Sequence, residues 1–205
     1  MSLIQSTAIP SGASAYEIDQ SLRFNDGDSA NLSFTPASAG NRTTWTWSGW
    51  VKRGELGAWQ SLFGAYTSGT QRDSFRFKDT DELQFQTIDG STVTKSTTAK
   101  FRDTSAWYHI MLVWDTDNGT AANRTKIYVN GVAQILENTD ATSGTTSIIN
   151  STGIHYIGAR SSSGTADLFL DGYLGEVNFI DGQALTPADF GETGDYGEWK
   201  PIEYS

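Results

Sequence analysis

The chain has 205 residues, is 12% aromatic and 19% charged, contains no cysteine and carries a formal net charge of −10. Such an acid surplus repels phosphate and anionic lipid heads, which argues against a general nucleic-acid binder, and no window approaches the ~18 apolar residues of a membrane span, which argues against membrane insertion. Without cysteine there is no disulfide framework, no thiolate metal site and no cysteine nucleophile, a composition suited to folding in a reducing cytoplasm.

Residues 1–19 are Ser/Ala/Gly-rich around Pro10 and read as an arm or linker. They lack the basic and long apolar regions of a signal peptide. Ser21–Phe24 reads as a short strand, Asn25-Asp26-Gly27-Asp28 as a turn, and Ala30–Phe34 as the return strand. Thr44–Arg53 is a long strand. At period two, Trp45, Trp47, Gly49 and Val51 share one face, the expected core, and Trp50 stands alone as a large aromatic among Thr, Ser and Lys on the other. Gly49 permits a close approach from the facing layer. Trp59–Ala65 is the next strand, then a loop holding Tyr66 and Arg72, then Ser74–Phe77. Glu82–Ile88 alternates Leu83 and Phe85 against Gln84 and Gln86, and Asp89-Gly90 turns it into a Thr- and Lys-rich strand expected at a solvated edge.

Trp107–Asp115 is apolar on both faces, so both are expected to be covered. Lys126–Val129 leads into Asn130-Gly131, the pair that suits the two positive-φ positions of a type I′ hairpin. His155–Ala159 and Leu168–Ile180 supply the last strands, the latter bent at Asp171-Gly172. Thr186-Pro187-Ala188-Asp189 has the cap, proline and first-turn acid of a short helical turn. Residues 191–205 form a Gly/acidic tail. Roughly a dozen short strands and no long helix predict an all-β antiparallel two-sheet sandwich over residues 20–190.

The order of several motifs carries a resemblance. Ser21–Phe24, Thr44–Lys52, Ala106–Ile110, Lys126–Gly131, Tyr156-Ile157-Gly158 and Gly172–Val177 together resemble the laminin-G-like and pentraxin-like group of concanavalin A-type jelly rolls over about residues 21–190. Thr35–Arg42, Trp45–Arg53 and Phe179–Leu185 look like tail-fibre or appendage proteins of tailed bacteriophages. The resemblance implies a virion module made in the host cytoplasm. Its partners would be host-surface glycan or polysaccharide and other virion structural proteins, and such appendages are commonly homo-oligomers. A purely structural capsid or tail decoration anchored by the arm is the alternative reading.

Hydrolysis of glycosidic bonds needs two carboxylates facing one another, about 5–5.5 Å apart in retaining enzymes. Asp79, Asp81 and Glu82 sit in a loop-like run and Glu176 stands alone, so no catalytic residue is assigned and a glycoside hydrolase of the same fold is the third reading. The two histidines, His109 and His155, form no His-x-x-x-His pair, and His109 reads as a packing residue. Asp115-Thr116-Asp117-Asn118-Gly119 departs from a calcium-binding EF-hand loop because its glycine comes early and Lys126 takes the bidentate position. Asn25, Asp26 and Asp28 are the candidate calcium ligands. Sugar rings stack C–H faces on aromatic rings while their hydroxyls need planar polar partners. Trp50 with Tyr66 and Arg72 fits that need, and Arg160 in the Ser/Gly-rich loop 159–165 joins them as a rim candidate. Five Asn-x-Ser/Thr sequons, at Asn31, Asn41, Asn118, Asn123 and Asn150, follow from the Ser/Thr-rich composition.

Overall fold

The computed structural model describes residues 16–205. Its strands follow as β1 (Leu22–Phe24), β2 (Leu32–Phe34), β3 (Thr44–Arg53), β4 (Gln60–Ser68), β5 (Gln71–Phe77), β6 (Glu82–Asp89), β7 (Ser91–Lys100) and β8 (Tyr108–Asp115). After these come β9 (Thr125–Val129), β10 (Val132–Ala133), β11 (Leu136–Glu137), β12 (Ile154–Ile157), β13 (Arg160–Ser161), β14 (Ala166–Asp167) and β15 (Gly172–Asp181). The tail adds β16 (Gly191–Thr193) and β17 (Trp199–Pro201). Two antiparallel sheets result, one of six strands ordered β1-β15-β3-β8-β9-β10 and one of seven ordered β11-β7-β6-β5-β4-β12-β2. Helical structure among the described residues is limited to three 3-10 turns. This is the expected jelly-roll sandwich.

The core lies between the sheets and is aromatic. Trp45, Trp47 and Val51 of β3 face Phe75, Phe77 and Phe85 of the other sheet, all fully buried. Trp45 meets Phe85 edge-on at 5.7 Å and Trp47 meets Phe75 at 5.5 Å, the T-shaped geometry that ring quadrupoles favour. At Gly49 the close approach comes from its own sheet and not from the facing layer as expected: a Cβ there would stand 3.0 Å from the Trp47 ring of the same strand and 3.4 Å from Val177 of neighbouring β15. Two buried charges close the core. The Arg53 guanidinium lies 4.2 Å from the Phe77 ring centroid and pairs with Asp81 at 3.1 Å. The Asp73 carboxylate accepts the backbone N–H groups of Ile148 and Ile149 at 2.7 and 2.8 Å, tying that loop against β5. Burial pushes Asp73 up to about 7.

Asn130 and Gly131 have φ of 49° and 78°, the positive pair of the expected hairpin between β9 and β10. Thr186 accepts its place as cap, with its N–H and hydroxyl both donating to Asp189 at 2.8 and 2.9 Å. Three further expectations are corrected. Arg72 lies within β5, opposite Tyr66 of β4, so neither is in a loop. The Thr/Lys strand β7 is a solvated edge only in part: at Ser96 and Thr97 it also pairs with the two-residue β11, while its two ends are exposed. Lys95 and Thr97 are buried, and Lys95 reaches Asp140 at 2.6 Å. The far side of the six-stranded sheet is not an open polar face: Met111, Val113, Ile180 and Phe190 form a second small core there, under the tail. The tail is thus a folded hairpin packed on the sheet. The expected arm, residues 1–19, lies outside the described residues as far as residue 15. From there Tyr16 donates its hydroxyl to Glu176 at 2.7 Å.

Candidate functional site

The four residues expected to bind a ligand fall on two faces of the sandwich. Trp50 belongs to β3 in the six-stranded sheet, whereas Tyr66 and Arg72 belong to the seven-stranded one. Trp50 is therefore not their neighbour. Nothing in the local pattern of either strand says which sheet it joins. Arg160 does join Tyr66 and Arg72. The backbone of β13 crosses directly over Gly64, where a Cβ would come within 2.9 Å of the Arg160 Cβ, so only glycine admits the crossing. Gly64 is two residues from Tyr66 and shares its face.

On this outward face the polar positions of alternating strands line up. Arg76 of β5 is 5% exposed, and its guanidinium sits 4.9 Å from the Trp59 ring centroid. It donates to Gln84 at 2.5 Å, to Gln86 at 3.3 Å and to Ser74. Gln84 continues the chain of contacts to Ser96 at 3.0 Å, and Gln86 to Thr94 at 3.2 Å. A polar groove of about 480 Å³ opens beside them, floored by Gln84, Thr94 and Ser96 and flanked by Glu82 and Glu137. Arg160 is held by Asp167 at 3.0 Å, whose other oxygen accepts from Ser162 at 2.8 Å. Burial, with the positive charge of Arg160 and then of Arg72 nearby, brings Arg76 down to about 10 against the opposing pull of Asp167. Arg72 Nε and Arg76 Nε are buried without a hydrogen-bond partner among the described residues. The arrangement offers concentrated positive charge, planar amides, hydroxyls and aromatic rings on one sheet face of an acidic protein.

Arg76, Trp59, Ser74, Gln84 and Gln86 were not singled out from the sequence. The signal was there in the alternation Ser-Phe-Arg-Phe and Leu-Gln-Phe-Gln, which sends these residues to the face opposite the phenylalanines.

Trp50 lies on the outward side of the six-stranded sheet, beside His109. His109 accepts or donates through Nε2 to Ser48 Oγ at 2.8 Å and stacks on Trp199 of the tail hairpin at 5.9 Å. Its burial alone holds it down at about 4. It is a packing residue, as expected.

The carboxylates considered for hydrolysis are engaged elsewhere. Glu82 is ion-paired to Lys78 at 3.5 Å and Lys100 at 3.2 Å and accepts from Thr80. Although burial opposes it, these partners hold Glu82 at about 2. Asp81 is shared between Arg53 and Arg102, and Glu176 holds Tyr16. For calcium, Asn25 turns its amide N–H toward Asp28 at 2.6 Å, and Asp26 accepts the Gly27 N–H at 2.7 Å. These contacts brace the turn itself. Among the described residues no group of three or more His, Cys, Asp or Glu is placed to hold a metal ion.

A family profile of laminin-G type, described as the concanavalin A-like lectin/glucanases superfamily, matches residues 26–190. No curated protein sequence matches the chain. Among solved structures, the native heptameric SAP-like pentraxin from Limulus polyphemus is 19% identical with a TM-score of 0.55, over 76% of this chain and 71% of that one. The Ruminococcus gnavus IT-sialidase CBM40 bound to α2,3 sialyllactose is 16% identical with a TM-score of 0.56, over 78% of this chain and 95% of that one. Domains LG4-5 of the mouse laminin α1 chain are 13% identical with a TM-score of 0.60, over 95% of this chain and 47% of that one. At these identities the likeness is one of fold.

Proposed function

For a chain that belongs to the concanavalin A-like lectin/glucanases superfamily, we propose a carbohydrate-binding role without catalysis, in which the outward face of the seven-stranded sheet holds an acidic glycan. The observation that carries this reading is the gathering of Arg72, Arg76 and Arg160 on one polar face of a protein with net charge −10. Steering a polyanion to such a protein requires a local reversal of sign. A carboxylate or sulfate of the sugar would approach the half-buried guanidinium groups of Arg72 and Arg160, with buried Arg76 behind them, as charge-assisted and bidentate contacts do best. Gln84, Gln86, Thr94 and Ser96 would take hydroxyls, and Tyr66 would stack against a ring. The sialyllactose complex of the Ruminococcus gnavus domain lends the reading an analogy on the same fold. Glu82, held ionised by the Thr80 hydroxyl and then by Lys100 and Lys78, is a poor general acid, which favours binding over hydrolysis.

In its finer form the module is a tail-fibre or decoration component of a tailed bacteriophage and reads host-surface polysaccharide. The three segment resemblances support this setting. Mass spectrometry of purified virions checks it, and virions lacking the chain would end it.

The binding test is an array of sialylated, sulfated, uronic-acid and neutral glycans, run with calcium and with chelator. Acidic glycans are expected to bind in both conditions. Arg72→Ala should weaken them about tenfold to a hundredfold, the worth of one or two charged hydrogen bonds. Equal binding of Arg72→Ala and the parent, or selection of neutral glycans alone, would refute the placement of the site. Binding only with calcium would return attention to Asn25, Asp26 and Asp28.

A further inference from the structure

On the opposite side of the sandwich a second cleft, of about 350 Å³, opens between the entering chain and the tail hairpin. It is lined by Trp50, Trp107 and Trp199 together with Asp19, Gln20 and Lys200, whose ammonium is paired with Glu198 at 3.2 Å. Three of the seven tryptophans of the chain converge there from separate parts of the sequence. The geometry points to a second, separate saccharide site in this cleft, one that takes an uncharged pyranose ring by stacking.

The walls are held before any ligand arrives. Trp199 stacks on buried His109, and its ring edge lies over two glycines: a Cβ at Gly131 would come within 2.4 Å of its Cζ3 and one at Gly191 within 2.5 Å of its Cε2. Trp50 is tilted against the same histidine at 5.3 Å. Trp107 is 38% exposed and is steadied by Tyr173 at 6.3 Å. Rings fixed by packing lose little entropy on binding, which is where preorganised sites gain affinity. Surface tryptophan is costly to leave in water, and three such rings around one cleft of ligand size demand an occupant. A wholly apolar occupant would strip water from Asp19 and Gln20 without replacing it. A sugar satisfies both demands, with C–H faces on the indoles and hydroxyls to the carboxylate and amide. With Lys200 already paired to Glu198, Asp19 leaves the lining acidic and repels an anionic sugar, so the ring is an uncharged one. The cleft shares no residue with the arginine face and stands on its own observations.

The test titrates the full chain with cellobiose, lactose and chitobiose, following tryptophan emission and saturation-transfer NMR. At least one sugar is expected to shift the emission and receive saturation. Trp107→Ala should weaken that binding tenfold or more, and Asp19→Ala should do so without touching a ring, which covers a fold defect in the first variant. Arg72→Ala should leave it unchanged, so failure of the acidic-glycan reading and failure of this one are told apart. The proposal is overturned if no sugar binds or if Trp107→Ala and Asp19→Ala bind as the parent does. It is also overturned if binding appears only after residues 1–15 are removed, since the chain's own arm would then be the occupant.

Discussion

Replacing His109 with phenylalanine should flatten a defined part of the chain's acid sensitivity. In the folded protein His109 is 1% exposed, and its ring lies against Trp50, Phe190 and Trp199 with Ser48 as its one polar partner among the described residues. Its Nδ1 is buried with no partner among the described residues. Charging such a ring is unfavourable, so its protonation is held down from 6.5 to about 4. The unfolded chain takes the proton near the ordinary value while the folded one refuses it. The stability contributed is therefore complete above about pH 6.5 and is lost as pH falls toward 4. At 1.36 kcal/mol for each pH unit separating the two values, the loss amounts to about 3 kcal/mol. Urea unfolding followed by tryptophan emission, on parent and His109→Phe at several values between pH 8 and pH 4, measures it. Carboxylates and His155 titrate in both proteins and cancel in the difference. Phenylalanine keeps the stacking and loses the Ser48 contact, so the variant starts at a disadvantage at pH 8. That disadvantage should shrink by about 3 kcal/mol by pH 4. A difference that stays constant across the range would refute the burial argument.

Asp73→Asn should show the opposite slope. Burial raises Asp73 from 3.8 to about 7, so the parent loses stability as pH rises through that window, and the variant should gain on it by about 4 kcal/mol between pH 4 and 8 in the same urea titrations. Gly131→Ala should cost about 1–3 kcal/mol and loosen the tail hairpin, because the position needs positive φ and its Cβ would enter the Trp199 ring. Faster exchange of the Trp199 and Lys200 amides would report the loosening. Asp81→Ala leaves Arg53 buried without its carboxylate partner and should cost about 3–5 kcal/mol, read from the shift of the urea midpoint. Salt should weaken binding of an acidic glycan to the arginine face and leave uncharged disaccharides in the tryptophan cleft nearly unaffected, as titrations at 50 and about 500 mM salt would show.

Local chemistry by itself determined a good deal. Period-two alternation assigned Trp45, Trp47 and Val51 to the core, and Asn130-Gly131 announced its hairpin, because both are properties of a few consecutive residues. The same rule had already put Gln84 and Gln86 opposite Phe85. What alternation gives is a face, and the choice of sheet depends on pairing between strands far apart in the chain. β3 pairs with β15, more than a hundred residues away, and with β8, and these pairings separate Trp50 from Tyr66 and Arg72. The gathering of Arg72, Arg76 and Arg160 likewise waits on β13 crossing at Gly64, and the tryptophan cleft on the tail folding back over His109. Sequence spacing carries no trace of these meetings, since the contacts are made by the backbone topology and paid for by burial across the whole sandwich.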